Sequence, residues 1–262
     1  MTSRPEEASA AEVTEDAFLG GALEILQPRA GYRAGIDAVL LAAAAPLGSR
    51  AGERVLDAGA GVGVVGLCIA RRVPTSHITL VESEPQLVAL ARRNVARNGL
   101  EERVVVIAAD VTDRAIALSE VGLGADKFEH VVTNPPFHVE GHGRRPKHAI
   151  KAAAHAMPAG GLDRWVQFLT RVSAPGGSMT MINRPEVLPQ LLSLLEGRFG
   201  ALKILPLHPR AGEPAVRILV QGRKGSRAPL RLLSGLILHN GDHSFRPEIA
   251  DVLRHGAALA LP

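Results

Sequence analysis

A short stretch at residues 131–138, VVTNPPFH, ends an apolar segment with an amide, two prolines and an aromatic ring. Consecutive prolines cannot continue a strand or a helix interior, because each fixes φ and lacks an N–H group. In the loop that this predicts, the Asn134 side-chain carbonyl and the Pro135 backbone carbonyl could each accept one hydrogen of a planar NH₂ group. Phe137 could stack on the attached ring, which is worth about 1–3 kcal/mol for exposed bases. The alternative is a proline-rich turn that only ends a core strand.

Glycine recurs where another predicted strand turns into a helix, in the segment VLDAGAGVGVVGL at residues 55–67. Gly59, Gly61 and Gly63 allow positive φ and a close approach of backbone to ligand, and the following helix offers free N–H groups. From Gly61 onward the spacing also fits the dinucleotide fingerprint G-x-G-x-x-G, a weak signal on its own. Asp57 argues against that fingerprint, because its carboxylate would face a pyrophosphate unfavourably and would suit a ligand with a cationic amino group, such as the methionine part of S-adenosylmethionine. A turn needed only for packing is the third alternative.

Three acids and one amide stand at the ends of four successive predicted strands: Asp57, Glu82, Asp110 and Asn134. Because ligands of open α/β sheets bind at the carboxyl ends of strands, we expect these side chains to line one crevice. An acid at the position of Glu82 can accept hydrogen bonds from both hydroxyls of a ribose, in a nicotinamide dinucleotide as in S-adenosylmethionine. Each residue taken singly could instead be a helix cap or a turn former.

Strand-like and helix-like segments alternate from residue 53 to residue 200, which predicts a parallel sheet with helices on both faces. The strands are ERVLDA, HITLVE, RVVVIAAD, FEHVVTN and SMTMIN, with a turn at APGG before the last and a helix over PEVLPQLLSLLEGRFG after it. ALKILPLHP and AVRILVQG then follow with only RAGEP between them, so we expect them to be antiparallel. Upstream, FLGGALEILQP predicts a hairpin or strand pair, and DAVLLA lies in a helix that ends before Pro46. The tail adds the apolar stretch LRLLSGLILHN and a helix over PEIADVLRHGAAL.

The bulk composition, 46% hydrophobic and 21% charged residues, is that of a globular protein. A formal net charge of +4 is compatible with a polyanionic partner, and equally with a basic enzyme acting on a small substrate. The single cysteine, Cys68, excludes an intramolecular disulfide and suggests a reducing compartment. We expect a disordered arm at residues 1–15 rather than a signal peptide. No apolar run is long enough to span a bilayer, so we expect a cytoplasmic protein.

Basic residues and histidines are concentrated in residues 138–155, directly after NPPF. A loop of this charge over an acceptor pocket could hold RNA phosphates, or it could be a solvated loop. Its basic members are Arg144, Arg145, Lys147 and Lys151. The histidines are irregularly placed without cysteine partners, so we expect no metal site. A second group, Arg223, Lys224 and Arg227, could extend the basic track. Trp165 is expected to belong to the core rather than to stack on a base.

Two segments resemble motifs of S-adenosylmethionine-dependent methyltransferases. DAGAGVG is similar to their first motif, and NPPF to the (D/N)-P-P-(Y/F/W) motif of enzymes that methylate planar nitrogens. The resemblance implies S-adenosylmethionine as cofactor. It also implies the Rossmann-like class I methyltransferase fold, α/β with a seven-stranded, mostly parallel sheet and a C-terminal antiparallel hairpin. In such chemistry two carbonyls pull the amine nitrogen towards tetrahedral geometry and free its lone pair to attack the sulfonium methyl. Positioning and preorganisation supply the rest, without a strong general base.

Residues 18–255 resemble the tRNA1(Val) (adenine-N6)-methyltransferase family. The further segments that carry this resemblance are GYRAGIDAVLLAAA and LPLHPRAGEPAVRILVQGRKGSRAPLRLL. The resemblance implies that Tyr32 and Arg33 lie beside the methionine end of the cofactor and that Asp110 meets its adenine amino group. We expect one methyltransferase domain over residues 16–262. It comprises an N-terminal extension (16–50), a core (51–222) and a C-terminal extension (223–262).

The resemblance implies methylation of adenine N6 in a tRNA anticodon loop. Catalysis would then rest on Asn134, Pro135 and Phe137. The implied cofactor-binding residues are Tyr32, Arg33, Asp57, Gly59, Gly61, Gly63, Glu82, Asp110 and Asn134. Family members often carry Tyr where this chain has Phe137, which stacks equally but lacks the hydroxyl.

Several alternatives remain open. The NPPF residues also occur in enzymes that methylate guanine N2 of RNA or the glutamine amide of release factors, and NPPFH resembles the ribosomal guanine-N2 enzymes as closely as the adenine ones. A non-catalytic RNA-binding module that keeps the cofactor pocket is an alternative from another class. A nicotinamide-dependent oxidoreductase would leave NPPF unexplained.

Overall fold

The computed structural model of the chain describes residues 13–31, 33–48, 50–113, 120–136, 138–139, 156–157 and 160–262. Within them the strands are β1 (Val13–Phe18), β2 (Leu23–Pro28), β3 (Arg54–Ala58), β4 (His77–Glu82), β5 (Val104–Ala108), β6 (Phe128–Thr133), β7 (His138–Val139), β8 (Ala156–Met157), β9 (Ser173–Asn183), β10 (Phe199–His208), β11 (Arg217–Lys224), β12 (Arg231–Leu232) and β13 (Leu236–Ile237). The α-helices are α1 (Ile36–Ala44), α2 (Val64–Arg72), α3 (Pro85–Arg97), α4 (Gly161–Val172), α5 (Leu188–Leu195) and α6 (Pro247–His255).

The main sheet has the strand order β12-β10-β11-β9-β6-β3-β4-β5, and β13 also pairs with β10. From β5 to β9 all neighbours are parallel, whereas β11 is antiparallel to both β9 and β10. The turn between β10 and β11 leaves no room for a crossover helix, so the chain must reverse there. Apart from the two-residue strands β12 and β13, this is the seven-stranded sheet with a C-terminal hairpin that the sequence predicted. The α/β class I methyltransferase fold is confirmed.

Two apolar cores lie on opposite faces of the sheet. Helices α1, α2, α3 and α6 pack in one core and α4 and α5 in the other. Because successive strand residues point to opposite faces, Val55 packs in the first core and its neighbour Leu56 in the second. The same alternation holds for Leu80 and Val81. Burial on both faces explains why these strands read as continuous apolar runs rather than as alternating patterns.

The hairpin predicted at residues 18–28 is present, but its first strand lies upstream, over Val13–Phe18. Strands β1 and β2 pair antiparallel from Val13↔Pro28 to Phe18↔Leu23. Leu23 and Ile25 are fully buried in the first core. Residues 13–15 therefore belong to a strand instead of the disordered arm expected over 1–15, because their backbone groups find partners on β2. Residues 1–12 lie outside the described residues.

Two local predictions were wrong. The segment APGG is part of β9 rather than a turn: β6 advances two residues, from Phe128 to His130, while β9 advances five, from Ser173 to Ser178. The extra residues form a bulge in which Gly177 approaches the β6 backbone so closely that a Cβ would lie 3.0 Å from the Glu129 carbonyl oxygen. The helix predicted up to residue 200 also ends early, and Phe199 already begins β10.

Candidate functional site

The carboxyl ends of β3, β4, β5 and β6 meet at one edge of the sheet. Ala58 is level with Val81 on β4 and with Thr133 on β6. The residues that follow each of these strands therefore emerge side by side, as parallel pairing requires. This register brings together the four strand-end residues predicted from the sequence: Asp57, Glu82, Asp110 and Asn134.

The glycine loop is held against the end of β4. The N–H groups of Gly59 and Ala60 both donate to the Val81 carbonyl oxygen over 2.9 Å. Gly59 has φ +70°, and a Cβ there would lie only 2.8 Å from the ring of Trp165. A side chain at that position would thus be strained by the backbone and blocked by the indole. Gly63, with φ +92°, is the N-cap of α2, so the loop delivers the free N–H end of that helix to the crevice.

Asp57 lies beneath this loop. It is 1% exposed, and its Oδ2 accepts the N–H of Gly66 in the first turn of α2 over 3.1 Å. Burial raises the pKa of Asp57 to about 7, the Gly66 hydrogen bond opposes this, and the nearby charge of Glu82 adds to it. The carboxyl group therefore caps α2 from the preceding strand, which is the helix-capping role that was weighed as the alternative for such an acid. Direct contact of Asp57 with a ligand stays a prediction.

Glu82 holds two loops with its two carboxylate oxygens. Oε2 accepts the N–H of Gly61 over 2.8 Å, and Oε1 accepts those of Ser83 and Glu84, each over 2.9 Å. Glu82 thus joins the glycine loop to the start of α3. A carboxylate has about four acceptor sites, so Oε2 keeps capacity for a further donor such as a ribose hydroxyl.

Asp110 is exposed and closes a local turn. Its Oδ1 accepts both the N–H and the hydroxyl of Thr112 over 2.7 Å. This is the turn-forming role that was weighed as the alternative for such an acid. It leaves the side chain at the crevice, next in line after Glu82 along the sheet edge.

Asn134 and Pro135 follow β6 at the same edge. Pro135 is buried and Asn134 partly so. The Asn134 Oδ1 atom is buried, and no group among the described residues donates a hydrogen bond to it. A buried acceptor without a partner costs about 1–3 kcal/mol. This oxygen is therefore free to accept a hydrogen bond from the N–H or O–H group of a ligand. The sequence predicted an acceptor for an amine at this position. Phe137 lies outside the described residues.

Trp165 connects the two loops. Its indole N–H donates to Thr133 Oγ1 over 2.9 Å, and that hydroxyl donates to the Ala58 carbonyl oxygen over 2.8 Å. Trp165 is 7% exposed, so the prediction that it belongs to the core is confirmed. Its link to both loops was missed, because no local signal connects residues so far apart in the sequence.

Asn94 is a second residue that the sequence reasoning missed. It is fully buried on α3, where Oδ1 accepts the N–H of Leu26 and Nδ2 donates to the carbonyl oxygens of Leu26 and Val62. It thereby joins the β1–β2 hairpin to the glycine loop. A signal was available, because Asn94 falls on the apolar face of α3 with Ala91 and Val95, where an amide needs partners.

The N-terminal residues carried over by resemblance are only partly described. The guanidinium of Arg33 donates to Thr14 Oγ1, the Pro28 carbonyl oxygen and Asp16 Oδ2, at 2.6, 3.0 and 2.7 Å. These contacts fix the Arg33 side chain on the β1–β2 hairpin, so a position beside the cofactor stays a prediction. Tyr32 lies outside the described residues.

Of the basic segment after NPPF, only residues 138–139 are described; they form β7, which pairs in parallel with β8, just beyond the segment. Arg144, Arg145, Lys147 and Lys151 lie outside the described residues.

The second basic group begins at the end of β11 that lies away from the carboxyl edge of the sheet. β11 runs antiparallel, so Arg217 begins it at the carboxyl edge and Lys224 ends it at the opposite edge, about 24 Å away at 3.4 Å per residue. Lys224 Nζ there donates to Asp126 Oδ1 and to the Ser173 carbonyl oxygen. Continuity with the basic residues after NPPF stays a prediction, because those residues lie outside the described ones.

Metal and membrane signals are both negative where the structure describes the chain. Across those residues, no three side chains of His, Cys, Asp or Glu come together as a set that could hold a metal ion. Nor does the described part of the chain contain a helix of the length and apolarity needed to cross a membrane.

Comparison with known proteins agrees with this geometry. The family model of the methyltransferase small domain matches residues 35–167, half of the chain. The tRNA1(Val) (adenine(37)-N6)-methyltransferase of Porphyromonas gingivalis is 28% identical over 89% of this chain and 91% of its own length. The ribosomal RNA small subunit methyltransferase C of Pseudomonas paraeruginosa is 38% identical over 41% of this chain and 30% of its own. These similarities confirm the resemblance inferred from the motifs.

A solved structure is also similar over most of its length. The crystal structure of a "predicted O-methyltransferase" from Agrobacterium tumefaciens is 35% identical, with a TM-score of 0.72 over 86% of this chain and 98% of that one. Family match, fold and the arrangement of strand-end residues lead to one conclusion. The chain belongs to the methyltransferase small domain family and is an S-adenosylmethionine-dependent methyltransferase.

Proposed function

We propose that this enzyme transfers a methyl group to an exocyclic amine of an RNA base, and that the base is an adenine, methylated at N6, in the anticodon loop of a tRNA. The observation that carries the proposal is the buried Asn134 Oδ1 atom, for which the described residues offer no donor. It stands one residue beyond Thr133, which is level with the last residue before the glycine loop. An amine hydrogen placed there would satisfy the orphaned acceptor and hold the nitrogen beside the cofactor site.

The cofactor site would be formed by the glycine loop and the strand-end acids. When bound, S-adenosylmethionine supplies an electrophilic methyl group on a sulfonium. Because residue 59 is a glycine, the loop can pass close to the Trp165 ring without a side chain between them. Glu82 offers the remaining acceptor site of Oε2 to a ribose hydroxyl, and Asp110 stands next along the edge for the adenine amino group. Asp57 supports the loop from below.

The acceptor amine would be held by two carbonyl groups. Asn134 Oδ1 accepts one hydrogen and the Pro135 carbonyl oxygen accepts the other. Both hydrogen bonds strengthen as the nitrogen becomes positively charged and tetrahedral, so they stabilise the transition state more than the ground state. Phe137 would stack on the base. The residues would thus position and activate the nitrogen. As the bond from nitrogen to methyl forms, the bond from sulfonium to methyl breaks and leaves a thioether, and the methylated nitrogen then gives up one proton to water, so no strong general base is needed.

A nitrogen acceptor suits this site better than an oxygen acceptor. A hydroxyl group has one hydrogen to donate, whereas an exocyclic amine has two for the two carbonyl oxygens. We therefore favour N-methylation, although the similar Agrobacterium protein is described as an O-methyltransferase.

Transfer RNA is favoured over ribosomal RNA by the extent of the similarity. The Porphyromonas relative named for tRNA1(Val) aligns over 91% of its length, whereas the relative named for ribosomal RNA aligns over 30%. The second similarity keeps a ribosomal base, such as guanine N2, as the second candidate. A tRNA substrate also agrees with the reducing compartment that the lone, buried Cys68 suggests, and we propose a cytoplasmic location.

The proposal is tested by incubating the enzyme with labelled S-adenosylmethionine and separate tRNA, ribosomal RNA and protein fractions, followed by mass spectrometry of the digested products. We expect label in 6-methyladenosine from tRNA. Label in 2-methylguanosine or in protein glutamine would transfer the assignment to those acceptors. Cofactor binding without transfer to any fraction would contradict an enzymatic role for the pocket and favour a non-catalytic RNA-binding module.

A further inference from the structure

The positive charge of the chain is concentrated in one described segment, residues 214–241. This segment holds five basic residues, Arg217, Arg223, Lys224, Arg227 and Arg231, and no acidic residue. The whole chain has 30 basic and 26 acidic residues, so the remainder has 25 and 26, a net charge of −1. The formal excess of +4 therefore resides in this stretch.

Two of the five basic side chains are already paired. Arg217 contacts Asp37 and Lys224 contacts Asp126, at 2.7 and 2.6 Å. Arg223, Arg227 and Arg231 are exposed. None of these three forms an ion pair with an acid in the described ranges, between residue 13 and residue 262. Their charge is available to a partner.

The backbone that carries these arginines is fixed on β10. The N–H of Gly225 donates to the Arg198 carbonyl oxygen, the N–H of Ala201 to that of Ala228, and the N–H of Leu233 to that of Ile204, each over 2.9 Å. The approach at Gly200 is so close that a Cβ would lie 2.1 Å from the Ser226 carbonyl oxygen. A polyanion would therefore meet a preorganised surface rather than a mobile tail, and binding would cost little ordering entropy.

The outer end of this surface, at Arg231 on β12, lies far from Asn134. Strand β12 is four strands from β6, about 19 Å across the sheet at 4.8 Å per strand. Arg231 is level with Lys203, five residues below His208 at the end of β10, or about 17 Å from the carboxyl edge. The two displacements together separate Arg231 from the acceptor site by about 25 Å. One nucleotide cannot reach both places.

We infer that Arg223, Arg227 and Arg231 form a second RNA-binding surface, which contacts backbone phosphates of the substrate and extends to about 25 Å from the methylated base at Arg231. The inference rests on the proposed function and extends it: the substrate must be a folded RNA long enough to reach the outer edge of the sheet. Phosphate contacts position an RNA without reading its sequence. The surface would therefore select large RNA over free nucleotides and leave the choice of base to the NPPF site.

The test compares R227E/R231E with the wild type on full-length tRNA and on a trinucleotide centred on the methylated base. We expect the variant to bind tRNA at least tenfold more weakly at 0.1 M salt, with a salt-dependence slope smaller by about one for each phosphate that the variant no longer binds. The KM for tRNA should rise while the kcat stays within a few-fold. Transfer to the trinucleotide should not change.

A matched control is R92E/R93E, which reverses two exposed arginines on α3; this helix packs against β4 and β5, at the opposite end of the strand order from β12. The proposal is overturned if this control loses as much tRNA affinity, or if R227E/R231E loses none. It is also overturned if trinucleotide transfer falls in parallel, because the arginines would then act on the reaction site. A change in oligomeric mass of R227E/R231E, with tRNA affinity retained, would assign the surface to a second copy of the chain.

A second variant tests whether the position of the arginine-bearing backbone matters, without changing the charge of the segment. Gly200→Ala forces the segment at Ser226 to shift, so we expect a loss of tRNA affinity in the same direction; unchanged affinity in a folded Gly200→Ala protein would contradict the fixed-surface argument. Direct tRNA binding is measured in all variants. Failure of the wild type to methylate any RNA would thus refute the proposed function, while the binding comparison would still decide the role of the surface.

Discussion

Trp165 and Thr133 join the two loops of the reaction site through one hydroxyl group. The indole N–H donates to Thr133 Oγ1 over 2.9 Å, and the same hydroxyl donates to the Ala58 carbonyl oxygen over 2.8 Å. Ala58 precedes the first glycine of the cofactor loop, and Thr133 precedes Asn134. In the proposed site, the distance between methyl donor and acceptor would therefore be set in part by this buried chain of hydrogen bonds.

Trp165→Phe keeps an aromatic ring against Gly59 but removes the N–H donor. We expect a loss of about 1 kcal/mol in the free energy of unfolding and a roughly tenfold lower kcat, since a small displacement of donor from acceptor is costly. The affinity for S-adenosylmethionine should change little. The matched control is Phe168→Leu on the same helix, which reduces the same core without removing a hydrogen-bond donor. Equal losses of kcat in the two variants would show that Trp165 contributes only through packing and not through its N–H group.

Asn134→Ala removes the unpaired buried carbonyl. We expect kcat to fall about 10²–10³-fold, as for loss of one preorganised hydrogen bond to a developing charge, with cofactor affinity within a few-fold of the wild type by calorimetry. Asn183→Ala is the comparison: Asn183 is a buried asparagine at the end of the adjacent strand, and its Oδ1 already accepts the N–H of Arg184. It should lose stability rather than catalytic rate. Full activity of Asn134→Ala would show that the Asn134 side chain takes no part in the reaction.

Glu82→Gln replaces one of two accepting oxygens by an NH₂ group, which cannot accept the N–H of Gly61 or those of Ser83 and Glu84. Whichever oxygen is replaced, at least one of these backbone N–H groups loses its acceptor, so we expect a loss of about 1–3 kcal/mol in the free energy of unfolding. The affinity for S-adenosylmethionine should fall at least tenfold, because the loop loses its anchor. Glu84→Gln, an exposed neighbour, should change neither property. Normal cofactor affinity in Glu82→Gln would show that the loop keeps its shape without this carboxylate.

Asp57→Asn tests the buried carboxyl group through pH. Burial raises the pKa of Asp57 from 3.8 to about 7 in the folded protein, so the folded state holds a proton that the unfolded chain releases above about pH 4. The stabilisation that this proton provides is complete below about pH 4 and is lost as pH rises through 7. Relative to the wild type, Asp57→Asn should therefore gain stability between pH 4 and 7, on the order of 4 kcal/mol in total. Thermal melts of both proteins across this range measure the difference; parallel curves would contradict the raised pKa.

Much of the fold could be predicted from local pattern. Alternating apolar segments and helices led to the parallel sheet, and the short turn after β10 led to the antiparallel partner, because the space for a crossover is readable from length alone. The prediction of a turn at APGG was wrong because glycines occur in turns and in bulges alike. Only the register between β6 and β9 distinguishes the two.

The sequence by itself determined the reaction type. The glycine loop and the NPPF segment each follow a predicted parallel strand, so the groups that they carry must meet at one edge of the sheet. It also determined which residues stand at the strand ends. Only the tertiary structure decided what those residues contact: Asp57 caps a helix, Arg33 joins the hairpin, and Trp165 links the two loops. It also placed the second basic group at the far edge. These contacts depend on packing between segments far apart in the chain, such as Asp37 and Arg217, which a local periodicity does not encode.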